Sequence, residues 1–357
     1  MQIKLLQRIE LLVKLGQYLQ EKNDNWQEIK EKASFVNGWF LPEFVDLSVQ
    51  NIVTNFLQKD ILERWVAQYP QIEETNKSPK LVGIVMAGNI PLVGFHDFLS
   101  VFIAGHNALI KASSKDDVLI KHLIEKLIEW EPSLSNSIAF ADMLKGCDAY
   151  IATGSNSTAG YFDYYFGKYP HIIRRNRTSV AILDGKESQE DLEALADDVH
   201  LYFGMGCRNI TKLYVPTDYD FEPLINVFKR YNYLADIHKF KNNYDYNLAL
   251  HLLNNKYFMS TQALLIVEDK SIFSPVSQLH YEQYSNIETV LNELDNNPAI
   301  QCIVGKGFVP FGKAQCPAIN QYADGEDTMK FLSELYNVTS KEGENYEDFS
   351  KTFVKPV

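Results

Sequence analysis

Cysteine is scarce in this chain. Cys147, Cys207, Cys302 and Cys316 are four among 357 residues, and no two share a paired spacing. That excludes a disulfide framework and a cysteine-based zinc site, and it fits a reducing compartment. The eight histidines lack the His-Glu-x-x-His pattern, so no metal is expected. Positive charge is in the minority: the formal net charge of −12 argues against nucleic acid or an anionic membrane surface as the main partner. No apolar run is long enough to cross a bilayer. The N-terminus does not read as a signal peptide. Met1-Gln2-Ile3-Lys4-Leu5-Leu6 opens an amphipathic helix broken by Lys4, Gln7, Arg8 and Glu10, and no small-residue cleavage site follows. The expected location is the cytoplasm. Internal repeats and low-complexity segments are also missing.

What is present is an ordinary folded composition, 46% hydrophobic and 22% charged, in a length that accommodates two domains with their own cores. Residues 1–68 read as helical: Ile9, Leu12, Val13 and Leu19 recur at helical spacing, and Pro42-Glu43 opens a helix expected to end near Trp65. Residues 69–79 are polar, hold two prolines and read as a linker. Short apolar runs then alternate with helical stretches. Strands are expected at 81–85, 108–111, 149–153 and 180–183. Helices are expected at 95–103, at 116–130 with Ser114 as its cap, and from Ser188 to Phe203 behind a Ser-x-x-Asp capping box. The alternation resumes with strands at 213–215, 264–267 and 300–304 and helices at 221–229 and 287–294. The pattern predicts an α/β protein with a doubly wound parallel sheet. Residues 81–203 form a nucleotide-binding domain, which C-terminal residues could complete. A second α/β domain follows over 204–310, and then a C-terminal segment, 311–357.

Three motifs carry chemistry. In Tyr202-Phe203-Gly204-Met205-Gly206-Cys207-Arg208-Asn209, a thiol sits among small residues between a helix and a strand, with room for a substrate to approach. A free thiol has a pKa of about 8.5, so a nucleophile needs a nearby cation or helix N-terminus, and Arg208 is adjacent. The bland alternative is a buried structural cysteine. In Ala87-Gly88-Asn89-Ile90-Pro91-Leu92, the Asn89 amide follows a strand and suits an oxyanion donor, although Asn-x-Pro would equally cap a turn. Thr153-Gly154-Ser155-Asn156 leaves a strand and enters a helix, where N–H groups favour a phosphate. It is not Gly-x-Gly-x-x-Gly, and a plain turn would look the same. Lys111-Ala112-Ser113-Ser114-Lys115 ends another strand, where open α/β sheets bind ligands. The first acidic residue after Lys111 is Asp116, too far on to hold a ribose 2′-hydroxyl. Ser113, Ser114 and Lys115 better suit a 2′-phosphate, hence NADPH over NADH. The basic run Arg174-Arg175-Asn176-Arg177 reads either as a solvated strand end or as an anchor, through Arg175 and Arg177, for the phosphates of CoA or NADPH. Together the motifs suggest covalent thioester chemistry with a nucleotide cofactor.

Gly88-Asn89-Ile90-Pro91-Leu92-Val93-Gly94, Leu109-Ile110-Lys111-Ala112-Ser113-Ser114-Lys115, Ala152-Thr153-Gly154-Ser155-Asn156 and Gly204-Met205-Gly206-Cys207-Arg208-Asn209 resemble, in order, signatures of the aldehyde dehydrogenase superfamily. Within it the chain is similar to the acyl-CoA reductase family that includes the fatty-acid reductase of bacterial luminescence. Asn37-Gly38-Trp39-Phe40 is also familiar from it. The resemblance implies an aldehyde-dehydrogenase-like fold, Cys207 as acyl acceptor, Asn89 as oxyanion donor, Lys111 on the adenosine ribose, Gly154 and Ser155 at the cofactor phosphates beside Thr153 of the same motif, and Phe273 near the nicotinamide ribose. The dehydrogenases' water-activating glutamate has no counterpart in Ile173-Arg174-Arg175-Asn176-Arg177, which points to reduction of an acyl thioester, with CoA leaving, rather than hydrolysis. Their glutamate before Ile-Phe-Gly-Pro-Val is Ser271 here, so the ribose partner of the nicotinamide is open. The expected reaction is NADPH-dependent reduction of a long-chain acyl-CoA to a fatty aldehyde through acyl-cysteine. An acyl phosphate reductase and a non-catalytic nucleotide-binding partner protein are the alternatives. Delivery by an acyl-donating protein and assembly into an oligomer are left open.

Overall fold

A computed structural model describes residues 3–295 and 297–337, and these divide into two compact units. The first comprises residues up to Arg175 together with the described residues from Ala318 onward. It opens with four helices: α1 (Leu5–Gln20), α2 (Asp24–Val36), α3 (Pro42–Asn55) and α4 (Lys59–Val66). There follow β1 (Leu81–Val85), α5 (Phe95–Ile103), β2 (Asn107–Lys111), α6 (Val118–Trp130), β3 (Ile138–Phe140), β4 (Ala149–Thr153), α7 (Asn156–Phe166) and β5 (His171–Arg174). The five strands are parallel in the order β3-β2-β1-β4-β5, the doubly wound arrangement, with the switch point between β1 and β4. Their apolar runs are buried on both faces, as parallel strands covered by helices must be.

The amphipathic helices at the N-terminus do not form a separate body. Leu12 and Leu15 of α1 and Val45 and Val53 of α3 share one continuous core with Ile84, Ile110 and Ile151 of the sheet. The expected single helix from Pro42 to Trp65 is two. Leu57 turns into the core between them, and the Gln58 amide caps the Val53 carbonyl at 2.7 Å. The polar stretch 69–79 is anchored rather than loose: Tyr69, Ile72 and Asn76 are buried. Ser114 does not cap α6, which starts at Val118. The backbone is held out of the helix because Asp116 turns inward to accept the Leu92 N–H at 2.6 Å.

The second unit, Asn176–Pro317, holds β6 (Thr178–Ile182), α8 (Gln189–His200), β7 (Ile210–Pro216), α9 (Glu222–Phe228), α10 (His238–Leu253), β8 (Met259–Ser260), β9 (Leu265–Glu268), β10 (Gln278–Tyr284), α11 (Ile287–Leu294) and β11 (Ile300–Val304). Its sheet runs β11-β6-β7-β10-β9-β8, parallel except for β8. The expected junction at residue 204 therefore lies inside this unit. The chain leaves the first sheet after β5, and β6 pairs with β7 and β11. The last described helix, α12 (Thr328–Glu334), belongs to the first unit and packs on α5 there. Strands β3, β5 and β10 and helix α10 were not legible as elements. Within β10, Glu282 pairs with buried Lys212 at 2.5 Å and His280 Nδ1 bonds the Ser271 carbonyl at 2.9 Å, so polar residues line a central strand at no unsatisfied cost. Among the described residues no helix is long and apolar enough to cross a membrane, and no cluster of three or more potential metal ligands is found.

Candidate active site

In the first unit the singled-out residues gather where the theory of open sheets puts a ligand, at the carboxyl ends of β1, β2 and β4. The Asn89 loop leaves β1 and is braced at several points. Ser48 donates to the Pro91 carbonyl at 2.7 Å, and Asp116 accepts from Leu92 N–H. Leu92 is held at φ 56°, a conformation that costs an L-residue about 1–2 kcal/mol and persists where surrounding contacts enforce it. Gly88 lies so close to the next loop that a β-carbon there would sit 2.5 Å from Ser113 Oγ. The Asn89 side chain itself is exposed. The loops after β1 and β2 thus form one packed piece. Asn37 ties it to the helical region by donating to the Lys115 carbonyl at 3.0 Å.

This packing separates the residues proposed for the cofactor. Lys111, Ser114 and Lys115 are exposed at the end of β2, whereas Ser113 is half-buried against Gly88. Burial pushes the Asp116 carboxyl well above its usual range, and only one of its oxygens has a partner. After β4, the Gly154 N–H is directed to the Arg174 carbonyl at 3.3 Å, and Ser155 caps α7 by accepting from Thr158 N–H at 3.2 Å. Thr153 precedes them at the strand end.

The basic run is dispersed. Strand β5 alternates its faces, so Arg174 points inward and its guanidinium meets both oxygens of Asp97 at 2.5 Å, with Thr328 Oγ1 at 2.8 Å. Arg175 faces outward and pairs with Asp163 at 2.6 Å. Arg177 belongs to the second unit and donates to the Ile300 carbonyl at 3.3 Å.

Cys207 lies in the second unit, in the loop between α8 and β7. The approach is unusual. Tyr202 (φ 54°, ψ 28°), Phe203 (φ 58°, ψ 24°) and Gly204 (φ 72°) are three consecutive left-handed residues. Two of them carry a β-carbon and cost about 1–2 kcal/mol each. Both aromatic rings are buried, which helps to hold the turn. The Cys207 carbonyl accepts from Ser179 Oγ at 3.1 Å. That bond uses the single hydroxyl proton, so the Cys302 thiol, 3.1 Å from the same oxygen, is the donor in its contact. The Arg208 guanidinium, adjacent to Cys207 in the chain, also favours the charged form of the Cys302 thiol, against the larger effect of burial. Burial raises the thiols of Cys302 and Cys316 and pushes Cys147 up to about 12, all away from thiolate chemistry. Phe273 sits on an exposed turn in which Ser271 Oγ accepts the Phe273 N–H at 3.2 Å and donates to the Phe273 carbonyl at 3.0 Å, and Thr211 Oγ1 donates to the neighbouring Ile272 carbonyl at 2.5 Å.

The reading of the sequence missed Asp116, Ser179, Asp198 and Asn209, which build this scaffold. Asp198 is fully buried. Burial raises its carboxyl to about 7, against the pull of the Gly312 and Ala314 N–H groups it accepts at 2.7 and 3.1 Å. Only the position of Asn209, two residues after the cysteine, could have drawn attention to it.

A family model for the LuxC acyl-CoA reductases matches residues 21–224, a span that includes both Asn89 and Cys207. No curated protein sequence matches the chain. Among solved structures, aldehyde dehydrogenase 21 from Physcomitrella patens, in complex with its reaction product succinate, superposes with a TM-score of 0.69 at 13% identity, over 93% of this chain and 84% of that one. A succinic semialdehyde dehydrogenase from Streptococcus pyogenes, with NADP+, gives 0.61 at 15% identity over 84% and 76%. An aldehyde dehydrogenase from Mycobacterium tuberculosis, with NAD+, gives 0.60 at 13% over 81% and 70%. Identities this low speak for the fold alone. With the family model spanning more than half of the sequence, the chain belongs to the LuxC family of acyl-CoA reductases, built on an aldehyde-dehydrogenase-like fold.

Proposed function

We propose that the protein reduces a long-chain acyl-CoA, or a related acyl thioester, to the aldehyde through an acyl group carried on Cys207, with NADPH as reductant. The observation that carries this reading is the family match over residues 21–224, which covers the cysteine loop and the Asn89 loop together. Cys207 attacks the thioester carbonyl as thiolate. Asn89 Nδ2–H and the Cys207 N–H donate to the developing oxyanion, CoA leaves as its thiolate, and acyl-cysteine remains. The segment 173–177 offers no carboxylate to activate water, so the acyl group persists until it is reduced. NADPH, when bound, supplies the hydride. Asn89 then donates to the alkoxide of the thiohemiacetal, whose collapse returns the Cys207 thiolate and frees the aldehyde.

The donor set at the end of β2 supports the cofactor assignment. Lys111, Ser114 and Lys115 are exposed there, while Asp116, the first carboxylate, is buried and accepts the Leu92 N–H. Of the structural relatives named above, one holds NADP+ and another NAD+. Titration is expected to show tighter binding of NADPH than of NADH, and equal affinities would overturn the preference.

The direct test is intact mass after mixing the protein with a long-chain acyl-CoA and no cofactor. A gain of one acyl group, mapped to Cys207 and lost on adding NADPH, supports the proposal. No gain in a protein whose Cys207 is alkylated normally turns the reading towards acyl phosphates or a non-catalytic nucleotide-binding role. Asn89→Ala is expected to lower kcat by about 10²–10³-fold, the usual effect of removing one oxyanion donor, with NADPH affinity unchanged. A loss expressed only in KM would remove Asn89 from the oxyanion role.

A further inference from the structure

We propose that Asn209 is a positioning residue for Cys207: its amide locks the left-handed turn and aims the Gly206–Cys207 peptide. The proposal rests on the reading of Cys207 as nucleophile. Asn209 is fully buried and every polar atom of its side chain is engaged. Oδ1 accepts the Gly206 N–H at 2.8 Å. Nδ2 donates to the Asp198 carbonyl at 3.0 Å and to the Leu201 carbonyl at 2.8 Å. The first of these is one of the carbonyls that the end of α8 leaves without a helical partner. One amide therefore bridges the last turn of the helix, the start of the left-handed turn and the residue before the cysteine.

The backbone completes the clamp. Asn209 N–H donates to the Gly206 carbonyl at 3.0 Å, so Gly206 is held at both its N–H and its C=O. A peptide is planar and trans, with C=O and N–H on opposite edges. Directing the Gly206 carbonyl at Asn209 therefore directs the Cys207 N–H away from Asn209. That N–H is the second oxyanion donor of the proposed mechanism. On its far side the Cys207 carbonyl is held by Ser179. The side chain at 209 must offer one acceptor and two donors at short reach, which alanine, leucine and ionised aspartate cannot.

The test compares wild type, N209A and N209D, with folding followed by thermal melts. For N209A the expected result is acylation at saturating acyl-CoA slowed by about 10²-fold, the scale of a small misplacement at a reacting centre. KM for acyl-CoA, NADPH affinity and alkylation of Cys207 by iodoacetamide, which needs no oxyanion donor, stay within a few-fold of wild type. N209D keeps the acceptor for Gly206 and regains one donor when protonated, so its acylation rate relative to wild type is expected to rise as pH falls. Acylation of folded N209A at the wild-type rate would overturn the positioning role and leave the nucleophile intact. A flat N209D ratio across pH overturns it as well, and that arm serves if N209A does not fold. Wild-type protein that is never acylated at Cys207 removes the nucleophile and this proposal with it.

Discussion

Replacing Cys207 by alanine is expected to abolish aldehyde formation, a loss on the order of 10⁶-fold, the scale seen when the nucleophile of a covalent mechanism is removed. The substitution leaves the scaffold intact. The Ser179 bond goes to the backbone carbonyl of residue 207, the Asn209 bonds go to residues 198, 201 and 206, and alanine keeps all of them. A thermal melt close to that of the wild type should accompany the loss. NADPH binding should also survive, because Lys111, Ser114 and Lys115, the residues assigned to its adenosine end, belong to the first unit. The three remaining thiols cannot substitute, since burial moves each away from the thiolate form. Iodoacetamide labelling of native protein near neutral pH is therefore expected to concentrate at Cys207 and to disappear in C207A. Retained turnover in C207A would refute the assignment outright.

Replacing Asp97 by alanine is expected to cost about 3–5 kcal/mol of stability, because it strands the Arg174 guanidinium in the core. Arg174 and Asp97 are both buried, and the guanidinium meets the carboxylate and Thr328 at hydrogen-bond distance. The pair fastens β5 to the first turn of α5 and to α12. Asp97 is also well placed by the positive N-terminal end of α5. A total stability of about 5–15 kcal/mol makes this a large fraction. The melting temperature of D97A should fall by roughly 6–20 °C for a unit of this size. Removing both charges, in D97A/R174A, should cost less than the sum of the single variants, since neither partner is left buried and alone. Additive losses in that cycle would mean that the two residues do not act as a pair.

The basic run shows what a linear reading can carry. Arg174, Arg175 and Arg177 look like one patch in the chain. Strand alternation sends Arg174 to Asp97 and Arg175 to Asp163, and Arg177 already belongs to another sheet. A period of two between neighbours is enough to dissolve a cluster that composition suggests. The element pattern was far more legible. Strands β1 and β4 and helix α11 stand where the apolar runs put them, because strands buried on both faces need continuous hydrophobicity and a surface helix needs a 3.6-residue stripe, while α5 is buried along almost its whole length and reads as a continuous apolar run. Strand β10 was invisible because Lys212 and Ser271, distant in sequence, satisfy its polar residues.

The sequence by itself determined the alternation of strands and helices over most of the chain, the family signatures with their cysteine, asparagine and lysine, and the missing carboxylate at 173–177. Each of these is a local property of residue type and spacing. Only the tertiary structure decided that the second unit begins at Asn176, that Asp116 is buried on the Leu92 N–H, and that Asn209 ties the cysteine loop to the end of α8. Those outcomes depend on which strand is a neighbour and on where a buried polar atom finds its partner. Neither is encoded in any single stretch of chain, because buried donors and acceptors are satisfied across the fold.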